Sequence, residues 1–453
     1  MDQSRTLNSN QKLLILSGFI FIIVLSSILT FSWSVFILQM IMGLITLHFC
    51  FKTDFKTAKL LLGIFMFSLL FVFLIYLANQ SYFGFPYYNG GSDDLKFEQW
   101  GYDVYNSGIY NPSKIMELRI LGQFHNSPFF PVYIAVLIKF SEFFGGFSTF
   151  LPRIANVYFL IWNSLITKYL LEKYTNLSQK TILYSICFFA FMPNIQYINA
   201  HVFRDTFNLL QVLMITLLFD FLLRNKNYKL KFISLISLPF LIYSTYYTRV
   251  SSIIFAGVAV LLMISVIYKI KTRYILIGII PLVLLTNLME AFRVSYYMET
   301  YTSYVSNIAG DGLSSLVFNQ PLLPIGIIFR AIYALISPFP NFFGLFRDES
   351  KVLFDSVQIL IYLGVLVQIF SIPFLFKRLI KLDWLSLIFI SWFSAIIIST
   401  FTFRHFLFFY PFMGAIVVDG YMTTSKNYRK TLLLLSIFIT AGFGMIYAAL
   451  KIL

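Results

Sequence analysis

The sequence predicts an all-α polytopic membrane protein, on three observations. Of its 453 residues, 59% are hydrophobic and only 12% charged, with a mean hydropathy of +0.80, too little polar surface to cover a soluble globule. Apolar stretches of roughly 18 to 22 residues, enough for a helix to cross a ~30 Å hydrocarbon core, recur along the chain. Short basic connections separate many of them, and their lysines fall on one side when the stretches alternate across a membrane. The net charge of +15 is spread over these connections, with no patch or stripe of the kind nucleic acid requires.

Taken in order, the apolar stretches are 13–31, 33–51, 59–78, 150–170, 181–199, 205–223, 231–247, 251–268, 274–291, 355–376, 383–402, 405–421 and 431–450, thirteen expected transmembrane helices. The polar start MDQSRTLNSNQK precedes an apolar run too long for a signal peptide and lacking a small-residue cleavage site, so the first stretch is expected to be retained. With Arg5 and Lys12 in the cytoplasm, alternation places 52–59, 171–180, 224–231, 269–273, 377–381 and 424–430 there too, in a multi-pass protein of the cell membrane. Two further apolar segments, 128–146 with Lys139 and Glu142 and 321–339 with Arg330, begin and end outside and are expected to be interfacial or re-entrant helices. Cys50 and Cys187 have no partner spacing, and no internal repeat or linker divides the chain, which reads as a single transmembrane domain over 1–453.

Polarity gathers on the extracytoplasmic side, in a first large loop at 79–127 and a second at 292–320. In the first, Gly90-Gly91 makes a turn, Ser92 stands as an N-cap, and Asp93, Asp94, Lys96, Glu98 and Trp100 ride on a short helix. Adjacent aspartates there either cap the helix and favour its dipole, or supply a general base for a hydroxyl and a carboxylate that positions an arginine. As exposed first-turn residues, each is expected to contribute only about 0.3–1 kcal/mol to stability. Arg119, Arg153, Arg204, Arg249, Arg293, Arg330, Arg347 and Arg404 also fall outside, mostly at helix ends, where they set no topology. Arg153, Arg204, Arg249, Arg330 and Arg404 converging would form a pocket for a lipid phosphate or diphosphate, because guanidinium matches phosphate with a planar fork. The alternatives are independent snorkelling and, for Arg204-Asp205, a local salt bridge. Of the four histidines, His125, His201 and His405 lie outside and, with Glu98 and Asp205, are candidates to touch substrate; their spacing matches no zinc cluster.

The first loop, the segment N-S-P-F-F-P followed by F-G-G-F-S, and L-P-R-I-A-N at the next span resemble the GT-C superfamily of membrane glycosyltransferases. The closer likeness is to its bacterial dolichyl-phosphate-mannose-transferase-like and Wzy-type polysaccharide-polymerase-like members. It covers about residues 79–210, through Gly91-Ser92-Asp93-Asp94, Pro128, Pro131, Phe144-Gly145-Gly146, Arg153 and Arg204-Asp205; beyond, only Arg249 and the stretch from Arg404 to Pro411 are similar. The chain departs from the family in having three spans before the loop, and in Asp-Asp and Asn-Ser-Pro where the family has Asp-Glu or Lys-Pro-Pro. The resemblance implies a GT-C-like fold in which Asp93 or Asp94 is the base or organiser of catalysis. It implies transfer of a sugar or oligosaccharide from a polyprenyl-(di)phosphate carrier to a glycan acceptor hydroxyl, as a monosaccharide transferase or a repeat-unit polymerase. No cofactor is expected, a divalent metal being left open, and the partners are membrane lipid and polysaccharide-assembly proteins. The rival from another class is a lipid-linked oligosaccharide flippase or transporter, whose sites lie near the bilayer midplane on broken helices.

Overall fold

The computed structural model describes residues 7–122, 127–270, 274, 317, 320, 326–340, 342, 345–399 and 403–452. Every regular element among them is helical. Among the described residues eight helices, including Glu349–Leu379 with its opening 3-10 turn, are long and apolar enough to cross a membrane, and a bent pair makes a ninth if counted as one span. The chain is a multi-pass membrane protein. Of the thirteen expected spans, 274–291 lies outside the described residues apart from its first, as does nearly all of the 292–320 loop. The chain divides into two compact units, Met1–Thr167 with Ala190–Ile253 and Phe343–Ile359, and Lys168–Phe189 with Ile254–Phe342 and Leu360–Leu453.

In the first unit, α1 (Ser9–Thr30) and α2 (Trp33–Cys50) form a hairpin. Asn8 and Gln11 cap α1 reciprocally, each side chain accepting from the other's backbone amide. Between the two helices Ser26 donates to Gln39 at 2.8 Å, a polar contact that apolar surroundings keep dry. Helix α3 (Phe55–Phe83) starts on the Asp54 cap and stops at Gly84, whose φ of 77° is a left-handed position that favours glycine. The loop then carries α4 (Asp93–Ser107), α5 (Pro112–Glu117) and α6 (Phe129–Glu142). Asp94, Phe97, Glu98, Gly101 and Val104 line one buried face of α4 at helical spacing. That face meets α6 so closely that a Cβ on Gly101 would stand 2.4 Å from a methyl of Ile134.

Helix α7 (Phe150–Tyr174) is the most enclosed of the long helices. The stretch expected at 181–199 is two helices, α8 (Gln179–Phe191) and α9 (Pro193–Ala200), bent by 52°. Pro193 has no amide proton to continue α8 but suits the first turn of a new helix. After the bend α9 packs on α3. Then α10 (Asp205–Arg224) and α11 (Tyr228–Thr248) run side by side, and α12 (Val250–Ile267) follows.

In the second unit, the C-terminal end of α13 (Ile327–Ile336) meets α14 (Val352–Leu379). Gln368 donates to the Ala334 and Leu335 carbonyls, Ile336 packs on Val365 and Ile369, and Phe342 meets Tyr362. Helix α15 (Trp384–Ser399) has 16 residues and α16 (Tyr410–Met422) only 13, the latter because 403–408 forms a 3-10 turn ahead of Pro411. Helix α17 (Lys426–Ile452) closes the chain. Arg378 of α14 is buried, pairs with Asp383 at 2.6 Å and also bonds Asp419 of α16.

Backbone contact sets the α14 and α16 separation. A Cβ on Gly420 would lie 2.3 Å from the Phe374 carbonyl oxygen, which no rotamer change relieves. Gly420→Ala is expected to cost about 1–3 kcal/mol, as overpacking does. In α17, a Cβ on Gly442 meets nothing within 4 Å. Thermal unfolding in detergent should show a clear drop for Gly420→Ala and none for Gly442→Ala; equal melting temperatures would contradict the close crossing.

Candidate active site

The chain between α9 and α10 leaves helical geometry at His201–Arg204 while buried inside an apolar unit. Carbonyls freed by such a break need donors, because no water is at hand to take them. Helix α7 supplies them from side chains three residues apart. Arg153 donates to the Ala200 carbonyl at 2.9 Å and Asn156 to those of His201 and Phe203 at 3.0 and 3.2 Å, while Asn163 donates at 3.1 Å to that of Thr206, already in the first turn of α10.

Arg153 also reaches the first loop. Its guanidinium donates to the Pro86 carbonyl at 2.6 Å, lies near the Tyr76 and Tyr87 rings, and stands 3.8 Å from Asp94. The loop turns through left-handed Asn89, Gly90 and Gly91, and the Asp94 carboxylate accepts the Tyr88 amide at 2.9 and 3.1 Å, tying the loop to the start of α4. Ser92 occupies the N-cap position, but its hydroxyl makes no capping bond. The second partner of Asp94 is His201, whose Nδ1 is 3.2 Å from Oδ2. Asp94, Arg153 and His201 are all fully buried.

This corrects one expectation. Successive helical residues point about 100° apart, so only one of the two aspartates can face the unit's interior. Asp94 is that residue, and it is not an exposed first-turn carboxylate; Asp93 is half-buried. One turn along, Glu98 accepts the Tyr87 hydroxyl at 2.7 Å and that of Thr149. Burial pushes Asp94 up, but the His201 hydrogen bond, the His201 and Arg153 charges and the Tyr88 amide together hold it below the usual carboxylate value. Burial, with repulsion from Asp94, raises Glu98 despite its two hydroxyl donors and Arg153.

Asp205 does not depend on its neighbour in sequence for an ion pair: it pairs with Arg249, at the end of α11, at 3.4 Å, both being buried. Arg204 is half-buried, donates to the Thr248 carbonyl at 3.4 Å and lies 5.7 Å from the Phe97 ring centre. Of the candidate residues the first unit therefore brings together Asp94, Glu98, Arg153 and His201, with Arg204 against the same face of α4 through Phe97 and the Asp205–Arg249 pair following. Arg330, on α13, and Arg404 and His405, in the 3-10 turn, belong to the second unit; Arg330 and His405 are buried. His125 lies outside the described residues. No group of three or more His, Cys, Asp or Glu with metal-holding geometry occurs among the described residues. Sequence reading missed Asn156, Asn163, Tyr87 and Thr149. The first two had a signal, since with Arg153 they repeat on one face of an otherwise apolar helix.

No family model, no curated protein and no solved structure matches the chain.

Because Asp94 is one half of a buried pair, Asp94→Asn is expected to destabilise by about 3–5 kcal/mol, while Asp93→Asn stays within about 1 kcal/mol. Thermal unfolding at pH 7 distinguishes them, and equal losses would contradict the assignment. The pH dependence has a defined sign. Asp94, with its lowered value, stabilises above the ordinary carboxylate range near about 4, and that part is lost as pH falls through the lowered value. Glu98, with its raised value, runs oppositely: its contribution is present at low pH and lost as pH rises through that value. Glu98→Gln should therefore flatten the neutral-side slope of melting temperature against pH, and an unchanged slope would count against the burial of its charge.

Proposed function

We propose that the chain is a membrane glycosyltransferase that moves a sugar or oligosaccharide from a polyprenyl-phosphate or -diphosphate carrier to a glycan hydroxyl on the extracytoplasmic face. The observation that carries this reading is the gathering of Asp94, Glu98, Arg153 and His201 where α4 meets the break between α9 and α10, with Arg204 beside it. Carboxylates and guanidiniums set at the ends of apolar helices are the groups such a transfer needs. A base takes the acceptor proton, and fixed positive charge stabilises the phosphate as the glycosidic bond breaks. Arg204 is the phosphate ligand in this scheme, with Arg249 of the same unit as a further candidate. Arg153 is a positioning residue, since its guanidinium is held by protein acceptors. Asp93, half-buried at the start of α4, is the carboxylate nearest to solvent on that turn. In this reading the amino terminus is cytoplasmic, thirteen spans are crossed, and polysaccharide-assembly proteins are the partners. One observation favours the second reading, a flippase or transporter: the bent α8–α9 pair and the non-helical turn after it resemble the discontinuous helices of transport sites.

Purified protein in nanodiscs, given a polyprenyl-phosphate-linked or diphosphate-linked sugar and an acceptor, should release free carrier. Asp93→Asn should lower transfer if that carboxylate positions the acceptor hydroxyl. Arg204→Lys should also reduce it, since Lys keeps the charge but not the fork. Movement of intact lipid-linked sugar across a vesicle membrane without carrier release would select the transporter. The orientation is tested with a membrane-impermeant thiol reagent on a background with Cys50 and Cys187 replaced. A cysteine at Asn89 should react from outside and one at Lys226 should not, and the reverse result would overturn the assigned face.

A further inference from the structure

We infer that His201 is the proton acceptor of the transfer, with Asp94 orienting it, an inference that rests on the transferase reading. The imidazole has two nitrogens in different circumstances. Nδ1 faces the Asp94 carboxylate at 3.2 Å, while Nε2 is buried with no hydrogen-bond partner among the described residues. A carboxylate at Nδ1 fixes the proton there, because Asp94 at its lowered value only accepts. The Nε2 lone pair is then left to take a proton.

The surroundings hold this arrangement firmly. The Tyr88 amide and Arg153 fix the Asp94 carboxylate, and the His201 carbonyl is itself held by Asn156. Rings of Tyr88, Tyr197 and Phe203 pack around the imidazole at 5.4, 4.8 and 5.1 Å. The charged or titratable groups facing it are Asp94 from α4, Arg153 from α7, Tyr197 from α9 and Tyr88 from the loop, with Glu98 one turn beyond Asp94. A buried nitrogen without a partner costs stability, and a site that keeps one has a use for it. Next to it, both polar atoms of the Asn199 side chain are also buried without a partner among the described residues, which marks the turn as one built to meet a polar group.

The step balances as follows. The acceptor oxygen forms a bond to the anomeric carbon, and its proton passes to His201 Nε2. The bond from that carbon to the carrier phosphate oxygen breaks, and its electron pair leaves on the phosphate. The imidazolium, stabilised by Asp94, later returns its proton to solvent. Tyr88 is half-buried and its ring lies edge-on to the enclosed imidazole.

His201→Asn separates chemistry from packing, because its amide can still donate to Asp94 but nothing replaces Nε2. In nanodiscs with a polyprenyl-phosphate-linked sugar, His201→Asn should keep its melting temperature and lose about 10²- to 10⁴-fold in kcat/KM. Burial lowers His201 from the ordinary histidine value, so the wild type should show an acid limb in kcat/KM on the acid side of about pH 6.5, and the residual activity of the variant should lack it. Added imidazole should partly restore His201→Ala. Wild-type transfer with an unimpaired His201→Asn overturns the inference and leaves the transferase standing, whereas absence of transfer in the wild type removes the transferase reading itself. If His201→Asn fails to fold, the wild-type profile decides, and a kcat/KM with no acid limb below about pH 6.5 down to the pH at which the protein unfolds overturns the inference.

Discussion

The first unit depends on how it satisfies a broken backbone in an apolar interior. Between α9 and α10 the chain is not helical, and its carbonyls would be costly to leave without donors. Arg153 and Asn156 answer this from one face of α7, which also carries Asn163, bonded to a carbonyl in the first turn of α10, so a helix with the apolar length of a span carries a buried polar stripe. Everything at the candidate site follows from that seam. Arg153 bridges it to the first loop through Pro86, Asp94 compensates the Arg153 charge, and His201 sits where both can reach it.

A fully buried ion pair is weak evidence for stability by itself, because desolvating two charges offsets most of their attraction. Here each member is also hydrogen-bonded: Asp94 by Tyr88 and His201, Arg153 by two carbonyls and, at 3.4 Å, Thr149. Such networks specify one arrangement among those that a purely apolar core would tolerate. The position of the loop from Gly84 to Ser92 is therefore set by charge and hydrogen bonding as well as by the packing of the Tyr88 ring on Tyr197 and Phe203. Glu98 extends the network through Thr149, which bonds both the carboxylate and Arg153.

In the second unit a residue expected to orient the chain also packs it. Arg378 belongs to the basic connection after α14, yet it is buried and joins α14 to α16 through Asp419, while Gly420 allows the two backbones to touch. Positive charge near a helix end can satisfy topology and tertiary structure together, since an arginine has five donors and only one of its roles needs net charge.

The all-helical, membrane-spanning character was legible in the sequence because hydrophobic length and local basic residues are properties of single segments. α1, α2, α3, α10, α11 and α12 fall close to where apolar length puts them. Gly90-Gly91 followed by two aspartates likewise marked the loop and the start of α4. What only tertiary structure decided is which partner each polar side chain takes. Asp94 and Asp93 are equivalent in sequence, but the α4–α6 packing turns only Asp94 inward. Asp205 adjoins Arg204, but its ion pair is to Arg249, brought to it by the pairing of α10 with α11. The bend at Pro193 places His201 on Asp94, 107 residues earlier in the chain, and no local pattern could announce a contact that loop closure and helix packing create together.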